Sequence, residues 1–141
     1  MKGYLLVRAE GKAYGFPVAR VLEVGDAAEV LSIPRKLAAV RGLTPLRGRL
    51  VPLIHLGAFL TGREPPPSDA KLRTVVLVEL SAIAGGRQVA FEVDDVDSVV
   101  REDALPVPRG QTLPWAAGVA EQEGGQLVPI LDLDALGDRI G

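Results

Sequence analysis

The sequence predicts an all-β fold built from two small β-barrels packed together, with only short helical turns, and three features carry that prediction. Short runs rich in β-branched residues recur along the chain, with little helical periodicity between them. A pattern in the first half returns, in the same order, in the second. A proline-rich stretch separates the two.

The elements follow in order. Tyr4 to Arg8 is a short apolar strand closed by Glu10-Gly11-Lys12, a hairpin-like turn, and Ala13 to Phe16 resumes the sheet. Thr74-Val75-Val76-Leu77-Val78-Glu79-Leu80 is the strongest strand, dense in β-branched side chains that suit a pleated surface. Gly85-Gly86 leads into the alternating Gln88-Val89-Ala90-Phe91-Glu92-Val93. Gly124-Gly125 precedes Leu127 to Leu131. Helical signal is confined to 34–40, 56–60 and 132–136, enough for one or two turns each.

The repeat is specific. Phe16, Val18, Val21 and Val24 return 75 residues later as Phe91, Val93, Val96 and Val99. Gly48-Arg49-Leu50-Val51-Pro52-Leu53-Ile54-His55-Leu56 returns at an offset of 77 as Gly125-Gln126-Leu127-Val128-Pro129-Ile130-Leu131-Asp132-Leu133, and Gly42-Leu43-Thr44 answers Gly118-Val119-Ala120. The halves, 4–60 and 74–137, are joined by a connector at 63–70 containing Pro65-Pro66-Pro67. About five strands per half make a barrel, but so short a chain buries only about 60% of its unfolded surface. The chain is therefore read as one domain, 1–141, whose lobes must pack together, with a groove between them as the natural binding site. The sequence leaves open whether each half closes its own barrel or exchanges strands with the other. Phe16 and Phe91 are expected to plug one lobe each.

Composition narrows function. The formal charge is −2, from 16 Lys+Arg and 18 Asp+Glu, so the basic surplus of a nucleic-acid binder is missing. No apolar run approaches the roughly 20 residues that span a bilayer, and Leu5-Leu6-Val7 is too short for a signal-peptide core. With no cysteine, disulfides and thiolate metal sites are ruled out, and a cytoplasmic location is the expectation. One histidine, His55, cannot build the usual zinc sites, and no nucleophile stands near it in sequence. Its repeat counterpart is Asp132, which points to a turn role, a side chain bonding nearby backbone. Glu92, Asp94, Asp95 and Asp97 lack calcium-loop spacing and read as a solvated strand edge. Gly42 to Gly48 lacks the ending of a phosphate loop. Neither catalysis nor any cofactor or metal is expected.

The stretch Val40-Arg41-Gly42-Leu43-Thr44-Pro45-Leu46-Arg47-Gly48-Arg49-Leu50-Val51-Pro52-Leu53-Ile54-His55-Leu56 resembles the signature of CheW-like domains, a hydrophobic-Arg-Gly turn running into a Val-Pro-hydrophobic strand. Tyr14-Gly15-Phe16, Val21 to Val24, Thr74 to Val78, Val93-Asp94-Asp95-Val96 and Leu131 to Leu136 resemble the family too, so the likeness spans about residues 4 to 137. It implies two SH3-like five-stranded barrels and a non-enzymatic adaptor. Such an adaptor couples the cytoplasmic domain of methyl-accepting chemoreceptors to the regulatory domain of a CheA-type histidine kinase, at membrane-tethered arrays. The resemblance places receptor contact at Val21, Glu23, Gly42, Arg47, Val75 and Val96, with Arg47 held by Glu23 and with Val21 and Val96 facing the groove. Kinase contacts stay unassigned. Pro45, His55 and Ala90 depart from the usual Asn, Asp and Gly. An adaptor of pilus motility or of a developmental kinase, or a paralogue that no longer couples, shares the same pattern.

Overall fold

The computed structural model describes residues 3–34, 37–81, 86–102, 104–106 and 113–140. Their strands are β1 (Tyr4–Ala9), β2 (Lys12–Pro17), β3 (Val21–Ala27), β4 (Val40–Leu46), β5 (Arg49–His55), β6 (Arg73–Glu79), β7 (Gln88–Glu92), β8 (Asp95–Val100), β9 (Ala116–Glu121) and β10 (Leu127–Leu131). Two short helices follow β5 and β10: α1 (Leu56–Thr61) and α2 (Leu133–Ile140). Of the sequence-predicted helical stretches, 56–60 and 132–136 match these helices. In the third, 37–39 form a turn and residues 35–36 lie outside the described set.

The strands form two five-stranded sheets, ordered β8-β1-β2-β10-β9 and β3-β6-β7-β5-β4. Replacing each strand by its repeat partner (β1 by β6, β2 by β7, and so on to β5 by β10) converts one order into the other. Each sheet contains one parallel pair among antiparallel ones, β2 with β10 and β7 with β5. Residues 4–60 thus give two strands to the first sheet and three to the second, and residues 74–137 do the reverse. Neither sheet can form without strands from both halves.

The closing contacts are duplicated as well. Leu31 bridges Leu43, and Leu105 bridges Val119, so the segment before β4 or β9 folds over that strand. Glycine is required beneath each crossing. A Cβ on Gly42, whose φ is 155°, would collide with the Leu31 carbonyl, and one on Gly118 would lie 2.6 Å from the Leu105 carbonyl oxygen.

Side-chain alternation distributes the apolar residues among three clusters. Tyr4, Ala120, Val128 and Ile130 fill the first sheet's interior. Leu46, Val51, Leu53, Val75, Leu77 and Ala90 fill the second's. The largest cluster lies between the sheets and includes Val7, Phe16, Ile54, Val76, Val78, Phe91, Leu131 and Leu136. β6 reads as an unbroken apolar run because Val75 and Leu77 face one cluster while Val76 and Val78 face another. The repeat-related phenylalanines do not plug separate lobes. Phe16 and Phe91 are both fully buried in the central cluster, with ring centroids 5.6 Å apart, and burial of each side chain contributes about 1.5–3 kcal/mol. The space expected to be a groove is, at its centre, packed.

Both helices are started by the same device. The His55 side chain accepts the Ala58 N–H through Nδ1 at 3.0 Å, and Asp132 Oδ1 accepts the Ala135 N–H at 3.1 Å. The repeat partners therefore perform the turn role expected of them. α2 also reaches α1: the Arg139 guanidinium lies 4.8 Å from the Phe59 ring centroid and donates to the Phe59 carbonyl.

Candidate functional site

The six sequence-nominated residues fall into two kinds. Val21 and Glu23 lie on β3, Arg47 in the β4–β5 turn and Val96 on β8, all at least partly exposed. Gly42 and Val75 are buried, Gly42 beneath the Leu31 crossing and Val75 inside the second sheet's core. These last two shape a surface from below and do not themselves present one. Val21 and Val96 belong to different sheets, yet both rest against the central cluster, Val21 opposite Val78 and Val96 opposite Val7.

Arg47 is brought to β3, but no ion pair joins it to Glu23. Its guanidinium instead donates to the Leu22 carbonyl at 3.2 Å. The backbone beneath it carries a signal of its own. The Arg47-Gly48 turn has both residues at positive φ, 53° and 73°, the conformation of a tight hairpin turn. In the repeat the same turn is Gly124-Gly125, with φ 80° and 78°. Glycine adopts this region without penalty, whereas a side-chain-bearing residue pays about 1–2 kcal/mol. Where one hairpin uses glycine, the other holds an exposed arginine in a disfavoured conformation, as the β1–β2 turn holds Glu10, also at φ 53°.

The acidic group near β8 is not uniformly a solvated edge. Asp94 is exposed and accepts the Glu10 N–H at 2.7 Å, and Asp97 pairs with Arg8 at 3.2 Å. Glu92 points inward, its side chain 14% exposed, pairing with Arg41 at 2.5 Å and lying 3.7 Å from the Arg73 Nε. The alternation of β7 turns Glu92 away from its acidic neighbours in sequence. It enters a largely buried knot of two arginines and one carboxylate, beside His55, which faces Glu92 across the parallel β5–β7 pair. Burial, aided by Arg41, pushes the His55 imidazole below its ordinary range, against the pull of Glu92. A neutral imidazole is also what the cap requires, since Nδ1 must accept. Among the described residues no three His, Asp or Glu side chains converge as metal ligands, and no helix is long and apolar enough to cross a membrane.

The exposed apolar residues, missed in the sequence, are duplicated. Among the described residues seven large hydrophobic side chains are exposed, and six form repeat pairs: Val24 with Val99, Leu31 with Leu105, and Leu50 with Leu127. Their exposures lie between 44 and 55%. Val24 and Val99 sit on β3 and β8, one end strand of each sheet, whose outer edges lack a full ladder partner among the described residues. Isolated exposed apolar residues need no explanation, but here they recur at equivalent positions of the two halves. The signal was legible in principle for Val24 with Val99 and Leu50 with Leu127, which the repeat alignment pairs, whereas Leu31 and Leu105 lie outside the aligned segments and are matched only by their bridges. Which positions face outward was not.

Comparison with known proteins agrees with this architecture. The model of the CheW-like domain matches residues 3–140. The crystal structure of the scaffolding protein TtCheW from Thermoanaerobacter tengcongensis superposes with a TM-score of 0.77 at 23% identity, covering 96% of this chain and 91% of that one. A comparison with curated protein sequences finds no match. The matched family model runs over the strands of both sheets and both capped helices, and the chain belongs to the CheW-like domain family.

Proposed function

We propose that this chain is a non-enzymatic adaptor that couples chemoreceptor cytoplasmic tips to the regulatory domain of a CheA-type histidine kinase. The observation that carries the reading is the set of exposed apolar side chains recurring at equivalent positions of both halves, a surface suited to contact with partners rather than to catalysis. Val21, Glu23, Arg47 and Val96 are the receptor-contacting side chains in this reading, while Gly42 and Val75 fix the backbone beneath them. A receptor helix offers apolar side chains at helical spacing, a form that shallow apolar surfaces accept. The kinase takes a separate surface. Each contact is small, below about 1,200 Å² of total buried area, and becomes effective through the high local concentration of an array. Regulation needs only unequal affinity for two receptor or kinase states.

The adaptor reading is favoured over catalysis because the one imidazole is already committed, its Nδ1 being occupied by the α1 cap. The location that follows is cytoplasmic, at receptor arrays. Reconstitution tests the proposal: purified chain, receptor cytoplasmic fragment and kinase are combined, and autophosphorylation is followed with and without the chain. A rise in rate together with co-sedimentation of all three supports it. The absence of both effects would refute it.

A further inference from the structure

The repeat also supplies an internal control for cavities. On the second half, Asp132 N–H donates to the Trp115 carbonyl and Ala116 N–H to the Leu113 carbonyl. On the first half, His55 N–H donates to the Ala39 carbonyl and Val40 N–H to the Leu37 carbonyl. Trp115 is thus the structural equivalent of Ala39, and Leu113 of Leu37. A cavity lies beside each. The one at Leu37, with Val40 and Pro52, is about 170 Å³ and wholly apolar in its lining. Its counterpart at Trp115, with Tyr14, Leu113 and Pro129, is about 320 Å³, and Lys12 stands at its edge.

The fold evidently does without the aromatic pair, because Ala39 and Val89 occupy the equivalent positions of Trp115 and Tyr14. Tyr14 and Trp115 meet edge to face, ring centroids 5.8 Å apart, and form one wall. Tyr14 and Lys12 also line a second cavity of about 280 Å³ bounded by Glu10, Gly57, Thr61 and Arg63. The two cavities therefore adjoin at Lys12 and Tyr14, the first walled by the aromatic pair and the second edged by Glu10 and Arg63. In the second, Arg63 pairs with Glu10, whereas Lys12 has no ion-pair partner among the described residues. The ammonium between the two cavities is the uncompensated charge.

We propose that these adjoining cavities form a docking groove for a short acidic peptide segment of a partner protein, one large apolar side chain entering beside Trp115 and a neighbouring carboxylate meeting Lys12. The aromatic cavity lies at the low end of the about 300–1,000 Å³ typical of small-ligand sites, and suits one side chain better than a cofactor. The cation at the junction fixes the sign of the flanking charge.

Trp115 is the only tryptophan, so its emission reports occupancy directly. The full chain is titrated with acetylated, amidated peptides Asp-Asp-X-Asp-Asp, X being Phe, Leu, Met or Ile, and with the matching Lys-Lys-X-Lys-Lys set. A saturable emission change with at least one acidic peptide, weakened about tenfold or more in Lys12→Glu and absent with the basic set, is expected. Lys12 is exposed at the start of β2, so an unchanged unfolding curve for the variant separates charge from folding. No saturable change with any acidic peptide, equal response to both sets, or insensitivity to Lys12→Glu would overturn the proposal. The assay contains neither receptor nor kinase, so its outcome is independent of the adaptor reading.

Discussion

Replacing Arg47 by glycine separates a residue kept for its side chain from one kept for the fold. In Arg47→Gly the turn acquires the Gly-Gly sequence its repeat partner already has at Gly124-Gly125. Relief of the positive φ returns about 1–2 kcal/mol. Against this stand the lost hydrogen bond to the Leu22 carbonyl, about 0.5–1.5 kcal/mol and toward the low end at an exposed site, and the greater unfolded-state freedom of glycine, about 0.5–1 kcal/mol. These contributions nearly cancel, so urea unfolding is expected to place the variant within about 1 kcal/mol of the parent, with an unchanged denaturant slope. Receptor-fragment binding, measured by co-sedimentation across a concentration series, is expected to weaken by about tenfold or more, equivalent to about 1.4 kcal/mol. A stability loss above about 2 kcal/mol would show that the arginine serves the hairpin. Unchanged binding in a stable variant would remove Arg47 from the receptor surface.

Two further predictions concern the buried knot. Glu92→Gln leaves Arg41 and Arg73, both close to 90% buried, without their carboxylate, and is expected to cost about 3–5 kcal/mol in urea unfolding, whereas Asp97→Asn at the exposed Arg8 pair costs about 0–1 kcal/mol; similar small losses in both would contradict the burial argument. Because the folded-state pKa of His55 lies below its unfolded value, the unfolded chain binds the extra proton, and stability is full above the ordinary histidine pKa of about 6.5 and falls as pH drops below it. His55→Asn keeps an acceptor for the Ala58 N–H, and should flatten the parent's loss of stability between about pH 7 and 5; an equal decline in both proteins would assign it to other groups.

Much of the fold was legible because duplication shows itself in sequence. Phe16 with Phe91 and Leu50-Val51-Pro52 with Leu127-Val128-Pro129 announce two like sets of strands whatever their pairing. The pairing itself is a property of long-range contact. Nothing local to β2 says that its second neighbour is β10, more than a hundred residues away, in parallel. The same gap hid the direction of side chains. Phe16 and Phe91 read as separate plugs because likeness of position does not reveal that the two positions meet. Glu92 read as one of four surface acids because its inward turn depends on which face of β7 the Arg41 strand approaches. Val75 was nominated by resemblance, yet alternation along β6 places it inside a core. His55 was legible because its cap is local, spanning three residues, and because Asp132 repeats it.

The central claim is that the chain works by contact, receptor and kinase each meeting a different surface, and variants of the two end strands test it most directly. Val24→Asp and Val99→Asp each put a charge on one exposed end strand without opening a core. Binding of each variant to receptor fragment and to kinase regulatory domain is measured separately by co-sedimentation. The predicted result is the same for both: each variant, carrying its charge on the strand and face of a receptor-contact residue, Val21 or Val96, loses the receptor, keeps the kinase and fails to assemble the three-part complex. Retention of the receptor, or loss of the kinase, in either variant would contradict it.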